Sequence, residues 1–425
     1  MMQQIKFDQL QETLYYERMD NGLEVYILPK HGFHKTFATF TTKYGSIDNH
    51  FIPPGKEEVS VPDGIAHFLE HKMFEEEEGD IFHDFSKQGA QANAFTSFDR
   101  TAYLFSSTDH VQKNLETLLN FVQSPYFTEE NVEKEKGIIE QEIRMYQDNP
   151  DWRAFFGLIQ AMYQRFPVRI DIAGTVESIY KITKEMLYEC YETFYHPSNM
   201  LLFVVGQVKP DEVLSLVKEN QAQKPFKDKS EIARLFDKEP SAVHQTRLEI
   251  DLSVETPKCM LGYKETYLGL QGKEMLKQEV TTDLLMDMLF GQSSSFYQEH
   301  LESGLIDDSF GSDYTLEQHY GFSMLGGNTN NPDELIAKVQ EYVKDILSNG
   351  MDQLAFERSR KKKIGSFLKQ LNSPEFIANQ FTRFQFNDMN LFDVIPVLEE
   401  ITFEDILNRT KEHFRPEQFA VCIVK

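Results

Sequence analysis

His67-Phe68-Leu69-Glu70-His71 has the residue types and spacing that metal chemistry on a helix requires. At about 100° per residue, His67, Glu70 and His71 share one face, because residues three and four apart are neighbours. Two imidazoles one turn apart can hold one Zn2+ through ring nitrogens, and the carboxylate of Glu70 stands close enough to act on a water at that metal. Ile65 and Leu69 fall on the opposite side, with Phe68 on a flank, so the other face is suited to packing on a sheet. The five residues alone are modest evidence, since a chain of this composition with 12 histidines in 425 residues shows the pattern by chance in roughly a few cases per hundred.

A second segment supplies what two histidines lack. Catalytic zinc usually takes three protein ligands. Residues 131–146 carry Glu133, Glu135, Glu140 and Glu142. On the same wheel Glu135 and Glu142 lie within about 20° of each other, in a stripe with Ile138, Ile139 and Tyr146, while Glu133 and Glu140 fall on the solvent side. Carboxylates in an apolar stripe need a cation or strong donors. Either Glu135 or Glu142 could meet that need at a zinc held by His67 and His71.

These side chains must be positioned by regular elements, and the pattern of the chain predicts them. Strands are expected at Leu23–Leu28, after the turn Asn21-Gly22, and at Phe37–Thr42. A polar loop, Asn49–Asp63, leads into a helix over about Gly64–Phe74. Short strands rich in Phe, Thr and Tyr follow at Ala92–Phe98 and Thr101–Ser106, then a helix-rich stretch to about Tyr195 and the apolar strand Met200–Val205. After a helix at Pro210–Asn220, the Lys-, Pro- and Asp-rich segment Gln221–Ser241 reads as a linker. The order then repeats, with strands near 247–253, 260–263, 310–314 and 322–326, helices between and after them, and a last strand at Phe419–Val424. This predicts an α+β fold of two homologous domains, each a mainly antiparallel sheet with helices packed on one face. The expected division is residues 1–225 with the zinc site, a linker at 226–245, and residues 246–425 without a metal site.

Composition narrows the function classes. The net charge is −25 and the pI about 4.9, which disfavours nucleic acid, whose phosphates need clustered Lys and Arg. The basic run Arg358–Lys363 reads as a solvated helix face in so acidic a chain. Three widely spaced cysteines, Cys190, Cys259 and Cys422, form no C-x-x-C pair, so neither a disulfide framework nor a thiolate zinc site is indicated. A reducing, cytoplasmic setting fits them. No basic-then-apolar leader and no apolar run of membrane-spanning length is expected. The remaining histidines, including His110, His196, His244, His319 and His413, lack ligand spacing and read as structural or surface residues.

The two glutamate- and histidine-bearing segments together resemble the pitrilysin-type zinc metallopeptidases, the inverzincins, in which H-x-x-E-H on one helix precedes E-x6-E on another by about seventy residues. The resemblance covers nearly the whole chain, more weakly in its second half. Asn149-Pro150-Asp151-Trp152-Arg153 and the acidic run Phe74-Glu75-Glu76-Glu77-Glu78 are similar to a bacterial, YmfH-like branch of that family. It implies that His67, His71 and Glu142 are the zinc ligands, that Glu70 is the general base, and that Glu135 supports a ligand. Asn93, Ala94, Phe95 and Thr96, followed by Thr101-Ala102-Tyr103, resemble the family's substrate-binding edge strand, which would hold an extended peptide by β-addition. Phe290-Gly291-Gln292-Ser293-Ser294 and Gly304-Leu305 look like the matching part of the second domain. There the family's Arg and Tyr, which contact the substrate carbonyl, are replaced by His300 and Asp307; Tyr314, Tyr320 or a paralogous chain are the candidates to supply that role. The resemblance therefore implies a zinc-dependent endopeptidase with one Zn2+ per chain, acting on peptides or small unfolded polypeptides. The chamber would be completed by a second copy or a paralogous subunit, as a homodimer or heterodimer. The alternative is a non-catalytic scaffold subunit of a heteromeric peptidase.

Overall fold

The computed structural model of the protein describes residues 2–77, 79–226 and 231–425. It divides into two compact units.

The first unit is built on a seven-stranded sheet. Its strands are β1 (Gln3–Phe7), β2 (Glu12–Arg18), β3 (Glu24–Pro29), β4 (Thr36–Thr42), β5 (Ala90–Thr96), β6 (Thr101–Ser107) and β7 (Met200–Gly206), in the spatial order β1-β2-β3-β7-β4-β6-β5. Every pairing is antiparallel except β3 with β7. All residues of β4 and β7 are buried, which is why both read as unbroken runs of apolar and β-branched residues: they are the central strands, covered on both faces. On one face lie α1 (Ile65–Lys72), the helix Val111–Val122, α2 (Glu129–Gln147), and the helices Lys184–Phe194 and Pro210–Ala222. Their apolar stripes meet the sheet in a core that includes Val25, Ile27, Phe40, Phe68, Leu69, Leu115, Ile139, Leu187 and Val217. The opposite face is covered by the helix Pro374–Gln385, whose Phe381 ring lies 4.6 Å from Phe203 and 4.9 Å from Tyr26.

The second unit holds β8 (Arg247–Ile250), β9 (Lys258–Lys264), β10 (Gly311–Leu316), β11 (Gly321–Asn328) and β12 (Phe419–Val424), in the order β8-β12-β9-β11-β10. Here the first pair, β8 with β12, is parallel and the rest are antiparallel. This is the order and sense of β3-β7-β4-β6-β5, so the duplication is visible in topology. The helix Pro150–Met162 packs on this sheet at Gly157, where an added Cβ would stand 2.4 Å from Cys422 Sγ.

The α+β architecture and the duplication are those read from the sequence. The domain bounds differ from the contiguous division into 1–225, 226–245 and 246–425. Residues 144–169 belong to the second unit, and 371–386 to the first. Each half thus lends one helix to the sheet of the other, and local periodicity carries no record of which sheet a helix covers. The 226–245 segment is not a free tether where it is described. Ala233–Arg234 pairs with His50–Ile52, and Arg234 Nε reaches Asp48 Oδ1 at 2.8 Å. Glu239 accepts from the backbone N–H groups of Gln164, Arg165 and Phe166. Residues 227–230 of that segment, and Glu78 of the acidic run, lie outside the described residues. The hairpin β1–β2 was not legible, because β1 is short and mostly exposed and β2 is largely half-buried, with only Leu14 and Glu17 buried. The basic run lies on the helix Gln353–Gln370, where Lys362 and Lys363 pair with Asp287 and Asp283. Among the described residues no helix is long and apolar enough to cross a membrane.

Candidate metal centre

α1 begins at Gly64, whose φ is 88°. A Cβ there would lie 2.4 Å from the carbonyl oxygen of Ala173, so only glycine lets the helix start this close to the neighbouring backbone. Ile65, Phe68 and Leu69 are then buried, and the two histidine rings emerge side by side with centroids 4.6 Å apart.

α2 brings Glu142 against them. Glu142 Oε1 lies 3.7 Å from His67 Nε2, and Oε2 lies 3.5 Å from His71 Nε2. Ligand atoms about 2.0–2.1 Å from a tetrahedral zinc stand about 3.4 Å from one another, so the spacing fits a zinc ion bound by these three. Among the described residues this trio is the only group of three or more His, Cys, Asp or Glu side chains close enough to share an ion.

Glu135 is placed differently. Its Oε1 lies 3.0 Å from His71 Nδ1, and its Oε2 lies 3.5 Å from Lys72 Nζ. A proton on Nδ1, donated to that carboxylate, leaves the Nε2 lone pair free on the side of Glu142. The geometry thus separates two glutamates that a helical wheel could not. Burial pushes Glu135 up, but His71 and Lys72 hold it below the usual carboxylate range. Burial pulls His71 down, while Glu135, Glu70 and Glu142 raise it on balance. His67, deeply buried and beside His71, is lowered to about 3 and so stands as a neutral imidazole. Ile138, expected in the apolar stripe, is instead 47 % exposed; Ile139 is the fully buried one.

Glu70 is also buried, and burial pushes its carboxyl up against the opposing pull of Thr96 and His71. Its Oε2 accepts a hydrogen bond from the Thr96 hydroxyl at 2.7 Å. Thr96 was expected to contact substrate; the structure joins it to Glu70. Asn93, Ala94 and Phe95 precede it on β5, paired with Leu104, Tyr103 and Ala102 of β6. β5 closes the sheet on this side, Asn93 is exposed, and α1 packs against β5. An edge strand therefore runs beside the histidine–glutamate cluster. Neither the Thr96 link nor Lys72 was found from sequence. Lys72, the last residue of α1, and Glu75, three residues further on, were the available signal for the second.

In the second unit the candidate substitutes for the Arg and Tyr are engaged elsewhere. His300 is 7 % exposed and stacks on Phe296 with centroids 4.3 Å apart. Asp307 accepts from the Ser309 N–H and from Asn328 Nδ2. Tyr314 donates to Glu265 Oε2 at 2.9 Å inside the core, and Tyr320 is buried against Phe166 and Phe322.

A duplicated α+β fold with an inverted His-x-x-Glu-His helix and a glutamate helix in its first unit defines the pitrilysin type of metallopeptidase architecture. Family models described as "Insulinase (Peptidase family M16)" and "Peptidase M16 inactive domain" match residues 57–176 and 181–363. The chain is 59 % identical to the uncharacterized zinc protease YmfH of Bacillus subtilis strain 168, over all of this chain and 99 % of that protein. It is 42 % identical to an M16-like peptidase from Alicyclobacillus acidocaldarius whose crystal structure it matches with a TM-score of 0.95, covering 99 % of each chain. It also has the fold of the periplasmic protease PqqL of Escherichia coli, at 17 % identity and a TM-score of 0.75. All of this chain corresponds there to 48 % of that longer one. The protein belongs to peptidase family M16, in its YmfH-like branch.

Proposed function

We propose that this chain is a zinc-dependent endopeptidase that cleaves peptides or small unfolded polypeptides, with His67, His71 and Glu142 holding one Zn2+. The observation that carries the reading is the convergence of His67 Nε2, His71 Nε2 and Glu142 at zinc-ligand spacing, beside a buried glutamate and a free sheet edge. Zinc, when bound, supplies Lewis-acid chemistry, polarising a carbonyl and making a water easier to deprotonate. Glu70 takes up that proton and returns it to the leaving amine, and its raised proton affinity suits both steps. The Thr96 hydroxyl fixes one oxygen of Glu70, so the other is presented in a constant direction. Glu135 fixes the ring of His71.

The substrate lies along the outer edge of β5 as an added antiparallel strand, with Asn93, Ala94, Phe95 and Thr96 as the segment it meets. Backbone pairing carries little sequence information, so preference is broad. The chain works with a second subunit, a further copy or a paralogue. Support comes from the burial of His300, Tyr314 and Tyr320, this chain's own candidates for the substrate-carbonyl contacts. It comes also from the longer PqqL chain, about twice this span. Three free, buried cysteines are consistent with a cytoplasmic setting.

The test is hydrolysis of unstructured peptides by the purified chain, alone and mixed with a paralogous chain of the same organism, before and after chelation. Loss of cleavage on chelation and its return with one equivalent of zinc are expected. Zinc bound with no cleavage in any combination would instead favour a scaffold subunit.

A further inference from the structure

Lys72 is the last residue of α1 and its side chain is fully buried. Its Nζ lies 2.5 Å from Glu75 Oε2 and 3.5 Å from Glu135 Oε2. Glu135 in turn meets His71 Nδ1 with its other oxygen. A buried ammonium is costly unless paired, and one placed beside a cation site also repels the cation. Its place here is accounted for by the carboxylate that stands between them. Glu75 sits on the short hairpin formed by Glu75–Glu76 and Gly79–Asp80, so the acidic run that follows the motif contributes a clamp at its first residue.

We infer that Lys72, held by Glu75, is a positioning residue: it fixes Glu135 against His71 and thereby sets how tightly this site takes zinc. The inference rests on the zinc reading above. Among the described residues, Oε1 of Glu135 meets His71 Nδ1 and Oε2 faces Lys72 Nζ as an ion pair, and the two contacts together favour one orientation of the carboxylate. Without Lys72 the buried Oε2 is unmatched, the carboxylate is free to turn, and the His71 ring loses its fixed acceptor. Loss of a group that orients a ligand in this way typically weakens metal binding about 10- to 100-fold.

Zinc affinity of the full chain, measured by competition with a chromophoric chelator, tests this for Lys72→Met, Lys72→Arg and Glu75→Gln. Thermal midpoints of the metal-free proteins and the absorption spectrum of Co2+ at the site are recorded alongside. The expected result is binding weakened about 10- to 100-fold in Lys72→Met with an altered cobalt spectrum, most of the loss recovered in Lys72→Arg, and a smaller loss in Glu75→Gln. Wild-type affinity and spectrum in a folded Lys72→Met, with only a lower thermal midpoint, would overturn the inference and leave the zinc site standing. If Lys72→Met does not fold, Glu75→Gln decides, and wild-type affinity there overturns it. Wild-type protein that binds no zinc, or still binds it after His67→Ala, fails the underlying site and this inference with it.

Discussion

At the scale of single residues, two side chains of the centre are held from behind, while His67 Nδ1 is buried without a hydrogen-bond partner among the described residues. Glu135 holds His71 and Thr96 holds Glu70. Thr96→Val keeps the shape of the side chain and removes its donor. Because a hydrogen bond to a charged group contributes about 1.5–3 kcal/mol, peptide turnover is expected to fall about tenfold or more, with zinc content unchanged. Steady-state kinetics and metal analysis on one preparation check this. Zinc lost together with activity would mean that Thr96 supports the fold of the site rather than Glu70. The identities of His67, Glu70 and His71 were legible in five adjacent residues, because a helix turns a local spacing into a shared face. The choice between Glu135 and Glu142 came only from the family resemblance, since both lie on one helical stripe and periodicity does not part them; the distances to Nδ1 and Nε2 do.

At the scale of elements, two close approaches position the chemistry. Gly64 starts α1 with a positive φ against the Ala173 carbonyl. Gly64→Ala adds both a strained φ and a clash, and is expected to cost about 2–3 kcal/mol of stability, read as a lowered urea midpoint. An unchanged midpoint would show that the neighbouring loop gives way freely. β5 offers its outer edge, so N-methylation of alternate amides in a peptide substrate is expected to raise KM with little change in kcat. Insensitivity to methylation at every position would exclude β-addition. The helices and strands themselves were largely readable from periods of 3.6 and 2. What periodicity did not show is the pairing of distant segments: Pro374–Gln385 on the first sheet, Pro150–Met162 on the second, and the packing of α1 on β5 that brings Thr96 to Glu70. The hairpin β1–β2 was missed for a different reason: its two fully buried positions, Leu14 and Glu17, are not alternate and one is charged, so no period-2 apolar face marks it.

At the scale of the whole molecule, one fold is used twice with different interiors. The first unit gathers side chains that could hold a metal, while the second buries an ionic network of Glu265, Arg409, Tyr314 and His413. Burial pushes Glu265 up, but His413 and Arg409 hold it well below the usual carboxylate range. A depressed carboxylate stabilises the fold fully above its ordinary value of 4.5 and loses that contribution as pH falls below it. Glu265→Gln, which strands the buried Arg409, is expected to cost about 3–5 kcal/mol at neutral pH, with the gap to wild type narrowing near pH 3. Denaturant unfolding at the two pH values checks this, and an equal gap at both would contradict it. The central claim concerns the first unit, and one comparison tests it most directly: zinc content and peptide cleavage of Glu70→Gln against wild type, alone and with a paralogous chain. The account predicts one zinc retained per chain with cleavage reduced about 10²- to 10⁴-fold. Zinc retained with cleavage unchanged would contradict it.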